Sequence, residues 1–292
     1  MHNITGGSRP SPTVSLKGVA MFPTIEVFGR EIGMYGICVA VGLLLCGFVG
    51  TLLAKKFGIV FEDFIIVFMA ALIGLFLFAH IVYAMTNIPL IIVAFKYIDK
   101  LWFKPFMTLI GQAVGGMVFY GGFIGGGLGI VIYTHFSKLM KRENVLDVYA
   151  VLIPLFHTFG RIGCFLAGCC YGIESEFGFT VHNNHINPSV NDVNRLPIQL
   201  IEAGCNLIIF FVILWLFKNA VMQDRLVYLY MLIYPPVRFT LEFFRGDEYR
   251  GIYFGLSTSQ WISIGLVIFS IAMLIRYHIK HKTPAIQEER TE

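Results

Sequence analysis

Four charged side chains, Arg161, Arg238, Glu242 and Arg245, lie in stretches that are otherwise apolar enough for a membrane interior. A charged group there is costly unless it is paired or functional. Arg238 and Glu242 stand four residues apart, so a helix would place them on one face and within reach of each other. A guanidinium group binds phosphate well because its planar fork matches the phosphate oxygens and stays charged. The other ionisable residues in such stretches are His80, His157 and Glu202.

This pattern has two interpretations. In the first, Arg238 and Glu242 form an internal salt bridge while the Arg161 side chain extends to the membrane interface. In the second, Arg161 and Arg238 face one cavity and bind an anion, with Glu242 holding one guanidinium group in place. Glycines flank Arg161 in the sequence FGRIG, where they would let a ligand or another backbone approach closely. We favour the anion site.

Three cysteines follow Arg161 in the stretch FGRIGCFLAGCCYG. Cys164, Cys169 and Cys170 have three interpretations: small packing residues, a disulfide on the outer side of the membrane, or a covalent or metal site. A zinc site with four protein ligands would need a histidine such as His157 nearby. The remaining cysteines are interpreted as apolar filling: Cys38, Cys46 and Cys205.

A glycine-rich run, GQAVGGMVFYGGFIGGGLG, covers residues 111–129, with Tyr120 at its centre. Glycines at this density are poor for an isolated helix. They permit close backbone contact and the formation of a cavity, which would support the anion site. The alternative is tight helix packing of the GxxxG type, and the sequence leaves both open.

The composition indicates a polytopic membrane protein. The 292 residues are 57% hydrophobic and 14% charged, and the mean hydropathy is +0.73. A soluble domain is nearer to half apolar and one quarter charged. The net charge of +4 is modest and spread along the chain, so nucleic acid is not an expected partner. Six cysteines in a mostly intramembrane chain do not predict the disulfide framework of a small secreted protein.

Seven stretches of about 20 mostly apolar residues predict membrane-spanning helices. Their approximate bounds are 33–55, 63–85, 109–133, 145–167, 198–217, 226–244 and 259–279. The apolar stretch 87–95 is too short to cross, so we expect it to be re-entrant or interfacial. We predict an all-α polytopic membrane protein with about seven transmembrane helices and a small extracytoplasmic head.

The predicted head covers about residues 170–197, whose Asn, Pro and Asp are typical of loops. His182 and His185 in the head could ligate a metal. However, two loop histidines without a carboxylate or thiol at suitable spacing are more often solvated. We therefore expect neither a metal nor a cofactor.

The chain predicts one membrane domain with short appendages. Residues 1–20 are polar and lack the apolar core of a signal peptide, so we interpret them as a disordered leader or as a misassigned start before Met21. Residues 21–280 are predicted to form a single integral-membrane domain. Residues 281–292 are expected to be a cytoplasmic tail.

An odd number of spans places the termini on opposite sides of the membrane. Basic residues are densest near the helix ends on one side, which the positive-inside rule assigns to the cytoplasm. This favours an outer N-terminus and a cytoplasmic C-terminus, although Lys96, Lys100 and Lys104 argue the other way. The basic residues that would face the cytoplasm are Lys55, Lys56, Lys138, Lys141, Arg142, Lys218, Arg225, Arg276, Lys280 and Lys282.

Several motifs, taken in order, resemble those of the bacterial prolipoprotein diacylglyceryl transferases, from about Ile25 to Tyr277. The matching stretches are GMYGI (33–37), GGMVFYGGFIGG (115–126), GRIGCFLAGCCYG (160–172), RLPIQLIEA (195–203), RFTLEFFRGDE (238–248) and GLSTSQWISI (255–264). The resemblance implies an enzyme of the bacterial plasma membrane. Such an enzyme transfers the diacylglyceryl group of phosphatidylglycerol to the lipobox cysteine thiol of a prolipoprotein, forms a thioether and releases glycerol phosphate. The implied partners are phosphatidylglycerol, lipobox signal peptides and other membrane lipids.

The resemblance also implies roles for individual residues. Arg161 and Arg238 match the two motif arginines and would stabilise the charge of the phosphate leaving group. Glu242 and Arg245 would orient the second arginine. Tyr35 matches the motif tyrosine and could hydrogen-bond the lipid headgroup. The residue that matches the closing glycine, where the backbone would need room to turn, is Gly172.

The sequence departs from the family pattern at several of these positions. Tyr120 replaces a histidine that is a natural candidate base, and a phenol has a pKa of about 10 against about 6.5 for imidazole. Tyr120 could serve as the base only if arginines lower its pKa, or the thiol could ionise in their field. Cys164, Ala167 and Cys169 stand where the signature has Asn, Asn and Glu, and His80 stands where an arginine is common. Cys164 and His80 would therefore line a variant substrate site.

Three functions remain open on these residues. The first is the usual transferase, catalysed by Arg161, Arg238, Glu242 and Tyr120. The second is a related lipid transferase with another donor or acceptor, because the changed positions would line the substrate pocket. The third is a non-catalytic lipid-binding protein on the same scaffold. Buried arginines speak against the third and the missing histidine speaks against the first, and we favour the first.

Overall fold

The computed structural model of the protein describes residues 23–27, 29–98, 102–137, 140–181, 184, 188–247 and 251–288. The predicted leader, His182 and His185 lie outside these residues. The residues described are mainly helical, which confirms the predicted all-α class.

Nine α-helices occur within the described ranges. Their bounds are α1 Met34–Ala54, α2 Phe61–Thr86, α3 Ile88–Lys96, α4 Phe103–Val114, α5 Phe119–Ser137, α6 Arg142–Ala167, α7 Ile198–Lys218, α8 Leu226–Leu241 and α9 Thr258–Glu288. Three single turns of 3₁₀-helix accompany them: Lys55–Phe57, Pro188–Val190 and Glu242–Phe244.

In the same described ranges, three short antiparallel strand pairs lie between the helices. They are β1 Thr24–Val27 with β2 Arg30–Gly33, β3 Glu174–Thr180 with β4 Asn194–Arg195, and β5 Ile252–Tyr253 with β6 Leu256–Ser257. The β3–β4 pair lies within the predicted head and has an irregular register between Glu174 and Phe179.

Five of the described helices are long and apolar enough to cross a membrane. They are Met34–Phe57, Phe61–Thr86, Arg142–Ala167, Ile198–Lys218 and Thr258–Lys280. Each corresponds to a predicted span. Large apolar side chains on their outer faces are exposed, among them Leu44, Phe48 and Leu77. Such a surface suits contact with lipid.

The predicted span 109–133 is wrong as a single helix. Helix α4 ends at Val114 and α5 begins at Phe119, so the glycine run is broken at residues 115–118. Glycine weakens a helix interior, and the break keeps its hydrogen bonds because the Val118 amide donates to the Ala79 carbonyl on α2 at 3.1 Å.

The predicted span 226–244 corresponds to α8 followed by a 3₁₀ turn. The 16 residues of α8 rise about 24 Å, less than the roughly 30 Å of a bilayer core. The turn Glu242–Phe244 adds about 6 Å at 3₁₀ spacing. Helix α3 has nine residues, about 14 Å, which agrees with the prediction that this stretch is too short to cross.

The chain divides into two compact units. Among the described residues, the first unit takes those within 23–44, 153–215 and 228–288, and the second takes those within 45–152 and 216–227. In the second unit, α2 and α5 pack through glycines. A Cβ at Gly125 would collide with the Gly74 carbonyl oxygen, and one at Gly121 would lie 2.5 Å from that of Phe78. These glycines therefore serve tight packing of the GxxxG type.

Two side chains of the second unit bind helix ends. Lys56 Nζ donates to the carbonyl oxygens of the last two residues of α7, at 2.5 and 3.2 Å. The Asp147 carboxylate accepts from the amides of Asp224, at 2.6 Å, and Leu226, at 3.0 Å. A cation at a helix C-terminus and a carboxylate at an N-terminus both stabilise the helix.

Candidate active site

One buried carboxylate on α7 links two of the predicted arginines in the first unit. Glu202 is 2% exposed, and its Oε1 lies 3.0 Å from Arg161 Nη2 on α6. Its Oε2 lies 4.0 Å from Arg238 Nη1 on α8. Tyr234 donates its hydroxyl to Oε1 at 2.8 Å. Arg161 and Arg238 are therefore held by a shared carboxylate.

A second carboxylate extends this network along the chain. Glu242 Oε2 lies 2.6 Å from Arg238 Nη2, which confirms the predicted pairing across one helical turn. Arg245 Nη1 lies 3.9 Å from the same oxygen. Arg245 also donates to both carboxylate oxygens of Asp247, at 3.1 and 2.6 Å. The interaction anchors the last guanidinium group of the network.

Among the residues that the structure describes, the network contains three guanidinium groups and three carboxylates, whose formal charges cancel. Burying charges costs several kcal/mol each unless partners compensate them. Arg238 and Glu242 have side chains only 5% and 3% exposed, and they are paired with each other. Pairing within the network thus offsets the free-energy cost of burying these charges.

Of the two arginines that Glu202 links, Arg161 has the greater access to ligands. Its side chain is 18% exposed, against 5% for Arg238. A guanidinium group has five N–H donors, and in the part of the chain that the structure describes, the Arg161 side chain pairs with Glu202 alone. Donors therefore remain for an anion.

An aromatic layer supports Tyr234. The Tyr230 and Tyr234 rings stack at 5.6 Å between centroids. The His157 ring lies 4.9 Å from that of Tyr234, and its Nδ1 lies 3.0 Å from the Tyr230 hydroxyl. His157 is thus engaged with tyrosines. The packing fixes the hydroxyl that orients Glu202.

Tyr35 lies at the start of α1, where α1 and α6 approach closely. A Cβ at Gly163 would lie 3.1 Å from both Tyr35 Cδ2 and Cys38 Cβ. The Tyr35 side chain is exposed and lies against α6 at Gly163, two residues after Arg161. The phenol is therefore accessible to a ligand bound at the guanidinium group.

Gly172 lies where three backbones meet. It pairs with Arg245 in an isolated antiparallel bridge. A Cβ at Gly172 would collide with the Leu196 carbonyl oxygen, and one at Gly246 would lie 2.5 Å from the Gly172 carbonyl oxygen. The absence of side chains permits this close contact, which positions the backbone of Arg245.

The three cysteines after Arg161 lie together and are free thiols. Their Sγ atoms all lie within 4.8 Å of one another. Cys169 Sγ donates to the Cys164 carbonyl oxygen at 3.6 Å. Hydrogen bonds with Cys164 and Cys169 lower the pKa of the Cys170 thiol, and the charges of Arg245 and Arg161 lower it further. The structure contains no disulfide among these three cysteines, so it does not support the disulfide interpretation.

Two predicted site residues, His80 and Tyr120, lie in the second unit. His80 Nδ1 lies 3.0 Å from the Val114 carbonyl oxygen and 2.9 Å from that of Gly116, so it binds the break between α4 and α5. Tyr120 is half-buried in the first turn of α5. Their roles toward substrate stay predictions.

Two important residues were missing from the predicted site. Glu202 and Tyr234 form the centre of the network, yet only Glu202 had a sequence signal, as a carboxylate in an apolar stretch and as part of the matching stretch RLPIQLIEA. A small cavity of this unit is lined by Phe165, Tyr171, Phe179, Arg195 and Gln199, among others. Neither Arg161 nor Arg238 lines that cavity, so the shared cavity predicted for the two arginines stays a prediction.

Comparison with known proteins gives one family. The family model for prolipoprotein diacylglyceryl transferase matches residues 23–276. The phosphatidylglycerol–prolipoprotein diacylglyceryl transferase of Clostridium tetani is 31% identical over 84% of this chain and 93% of its own. A second enzyme of that name from Clostridium perfringens is 31% identical over 85% and 92%, and the Helicobacter pylori enzyme is 31% identical over 87% and 90%.

Proposed function

The chain belongs to the prolipoprotein diacylglyceryl transferase family, and from this premise we propose that it acts on phosphatidylglycerol and a prolipoprotein. It transfers the diacylglyceryl group of the lipid to the lipobox cysteine thiol. A carbon–sulfur bond forms at the glyceryl carbon and the carbon–oxygen bond to phosphate breaks. Glycerol phosphate leaves, and the product is a thioether.

The observation that carries this proposal is the state of Arg161. This guanidinium group is held by Glu202 at 3.0 Å and is partly exposed, with donors that no described residue takes. A fixed cation in a site of low dielectric stabilises the charge that develops on a leaving phosphate. Arg161 therefore binds the phosphodiester and stabilises the departing glycerol phosphate.

Arg238 has a different role in this proposal. Its side chain is 5% exposed and lies 2.6 Å from Glu242, so it has little access to a lipid. It acts as a positioning residue, because it lies near the Glu202 oxygen that Arg161 does not bind. Glu242, Arg245 and Asp247 continue this support. The charge of Arg238 on α8 is therefore already paired before the substrate binds.

Other predicted residues complete the site. Tyr35 is exposed and lies against α6 two residues after Arg161, and it would donate to a headgroup oxygen. Gly172 would keep the nearby backbone close to Arg245. Tyr120 and His80 remain candidates for the base and for headgroup binding.

The proposed orientation places the N-terminus outside and the C-terminus in the cytoplasm. The contact of Lys56 with the end of α7 brings Lys55, Lys56 and Lys218 to one end of the second unit. Arg225 belongs to the same unit, because the neighbouring Asp224 amide donates to the Asp147 carboxylate there. A cluster of basic residues at helix ends marks the cytoplasmic side.

The test is complementation of a bacterial strain depleted of its own transferase. The parent chain is expected to restore growth, and Arg161→Ala is expected to fail. Arg161→Lys keeps the charge but loses the planar fork, so it should restore growth only in part. Arg276→Ala is the matched control, because that arginine is exposed on α9.

Protein levels in the membrane must be equal for these comparisons. Full growth with Arg161→Ala would contradict the role of this guanidinium group. Failure of the parent chain, together with measured binding of phosphatidylglycerol, would favour another acceptor or a lipid-binding protein.

A further inference from the structure

The proposed reaction gives no role to the thiols of Cys164, Cys169 and Cys170. Their Sγ atoms lie within 4.8 Å of one another. Zinc–sulfur bonds of about 2.3 Å place the sulfurs of a tetrahedral site about 3.8 Å apart. A movement on the order of 1 Å would therefore close the three sulfurs around one ion.

The backbone after α6 is ordered so that the three thiols meet. The Cys169 amide donates to the Cys164 carbonyl oxygen at 3.1 Å. Gly168 and Cys170 both have left-handed backbones, with φ of 71° and 56°. Gln199 Nε2 donates to the Cys169 carbonyl oxygen at 2.8 Å. A non-glycine residue in this conformation costs about 1–3 kcal/mol, which the surrounding hydrogen bonds offset.

The cluster supplies three ligands and leaves one position open. Within the described residues, no histidine, carboxylate or further thiol joins the three sulfur atoms. His157 is engaged with Tyr230 instead. Zinc sites with three protein ligands hold water or substrate at the fourth position, whereas structural sites have four protein ligands.

We propose that Cys164, Cys169 and Cys170 bind one zinc ion whose fourth position takes the acceptor thiol of the protein substrate. This rests on the proposed transferase function. A thiol that binds the ion is deprotonated, and its proton passes to solvent. The sulfur then attacks the glyceryl carbon, and the electron pair of the broken carbon–oxygen bond leaves on phosphate. The leaving glycerol phosphate takes a proton from solvent, and the neutral thioether dissociates from zinc.

The position of the cluster suits this role. Arg161 and Cys164 are three residues apart on α6, so they lie on one face of the helix. The nucleophile and the cation that stabilises the leaving group would thus be neighbours. A zinc ion with three thiolates carries a net charge of −1, and the Arg161 guanidinium group on the same face of α6 would stabilise the metal complex.

The first test measures zinc in the full chain, purified in detergent with a reductant. We expect inductively coupled plasma mass spectrometry to find about one zinc ion per chain. Cys164→Ser, Cys169→Ser and Cys170→Ser should each retain less than about one tenth of it. Cys46→Ser is the control, because the serine hydroxyl can keep the bond of that thiol to the Leu152 carbonyl oxygen.

Cobalt exchange into the parent chain tests the site without any variant. Thiolate ligation would give charge-transfer absorption. A parent chain that holds neither zinc nor cobalt would overturn the proposal. So would a disulfide among Cys164, Cys169 and Cys170 in protein prepared without reductant.

The second test adds a lipobox peptide to the cobalt form. A fourth thiolate should raise the charge-transfer absorption about 1.3-fold, and a peptide with serine in place of cysteine should not. No change with either peptide overturns the acceptor role. Full transferase activity in zinc-free Cys164→Ser also overturns this inference, while the proposed function stands. Zinc and peptide binding without transfer supports this site and contradicts the proposed function.

Discussion

Replacing Glu202 with glutamine tests whether one carboxylate holds both arginines. Glu202 is 2% exposed and lies 3.0 Å from Arg161, 4.0 Å from Arg238 and 2.8 Å from the Tyr234 hydroxyl. Glutamine keeps the size but removes the charge that the two guanidinium groups share. Breaking a buried ion pair costs about 3–5 kcal/mol. Because Arg161 is 18% exposed, water replaces part of the loss, and we expect about 2–3 kcal/mol.

The assay is thermal unfolding in a single detergent at a fixed scan rate, because membrane proteins often unfold irreversibly. A loss of that size should lower the midpoint by about 4–10 °C. Glu174→Gln is the matched control. Its side chain is 73% exposed and lies 3.7 Å from Arg195, so its removal should cost less than about 0.5 kcal/mol.

A double-mutant cycle then isolates the pair. Combining Glu202→Gln with Arg161→Gln removes both partners and restores the balance of charge. We expect the double variant to be more stable than the sum of the single changes by about 1 kcal/mol or more. Additivity within about 0.5 kcal/mol, or a Glu202→Gln midpoint equal to that of the control, would refute the bridging role.

Two further predictions concern the second unit, and thermal unfolding checks both. Gly125→Ala should destabilise by about 1–3 kcal/mol, because the new methyl group collides with the Gly74 carbonyl. Gly127→Ala on the same helix has open space around it and should leave the midpoint unchanged or raise it; equal effects would exclude the packing explanation. Asp147→Asn should cost about 1 kcal/mol, since it weakens the cap that binds two amides at the start of α8. The exposed Glu143→Gln is its control, and an equal midpoint for both variants would contradict the cap.

The sequence predicts local pairings better than pairings between distant helices. Arg238 and Glu242 are one helical turn apart, and that spacing was enough to predict their ion pair. Glu202 is distant along the chain from both Arg161 and Arg238. Its central position depends on how α7 packs against α6 and α8, which helical periodicity does not specify.

The break between α4 and α5 shows another limit of the sequence. An apolar window treats residues 109–133 as one span, since apolar residues favour membrane insertion and glycine is frequent in transmembrane helices. The break depends on a hydrogen bond from Val118 to Ala79 on another helix. A local pattern contains no information about that partner.

The cysteines show the same limit at shorter range. Cys164 lies five and six residues before Cys169 and Cys170, spacings that do not share a face of a regular helix. The left-handed residues Gly168 and Cys170 end α6 and bring the thiols together. A glycine after a helix predicts a left-handed residue at that position. A cysteine does not, so the left-handed conformation of Cys170 could not be predicted from the sequence.

The charge balance of the network and the thiol cluster lead to one account of this variant site. Among the described residues, carboxylates balance the formal charge of the three guanidinium groups, and the remaining donors of Arg161 are assigned to the phosphodiester, which leaves no residue assigned to ionise the acceptor thiol. The sequence has Tyr120 where the family has a histidine, and a phenol is a weak base at neutral pH. The same sequence has thiols at two signature positions, Cys164 and Cys169. A metal ion bound there would ionise the acceptor directly, so the loss of the imidazole and the gain of the thiols would be parts of a single chemical change. If so, restoring histidine at position 120 should not rescue a chain that lacks Cys164, and complementation by that double variant would show that the two changes are independent.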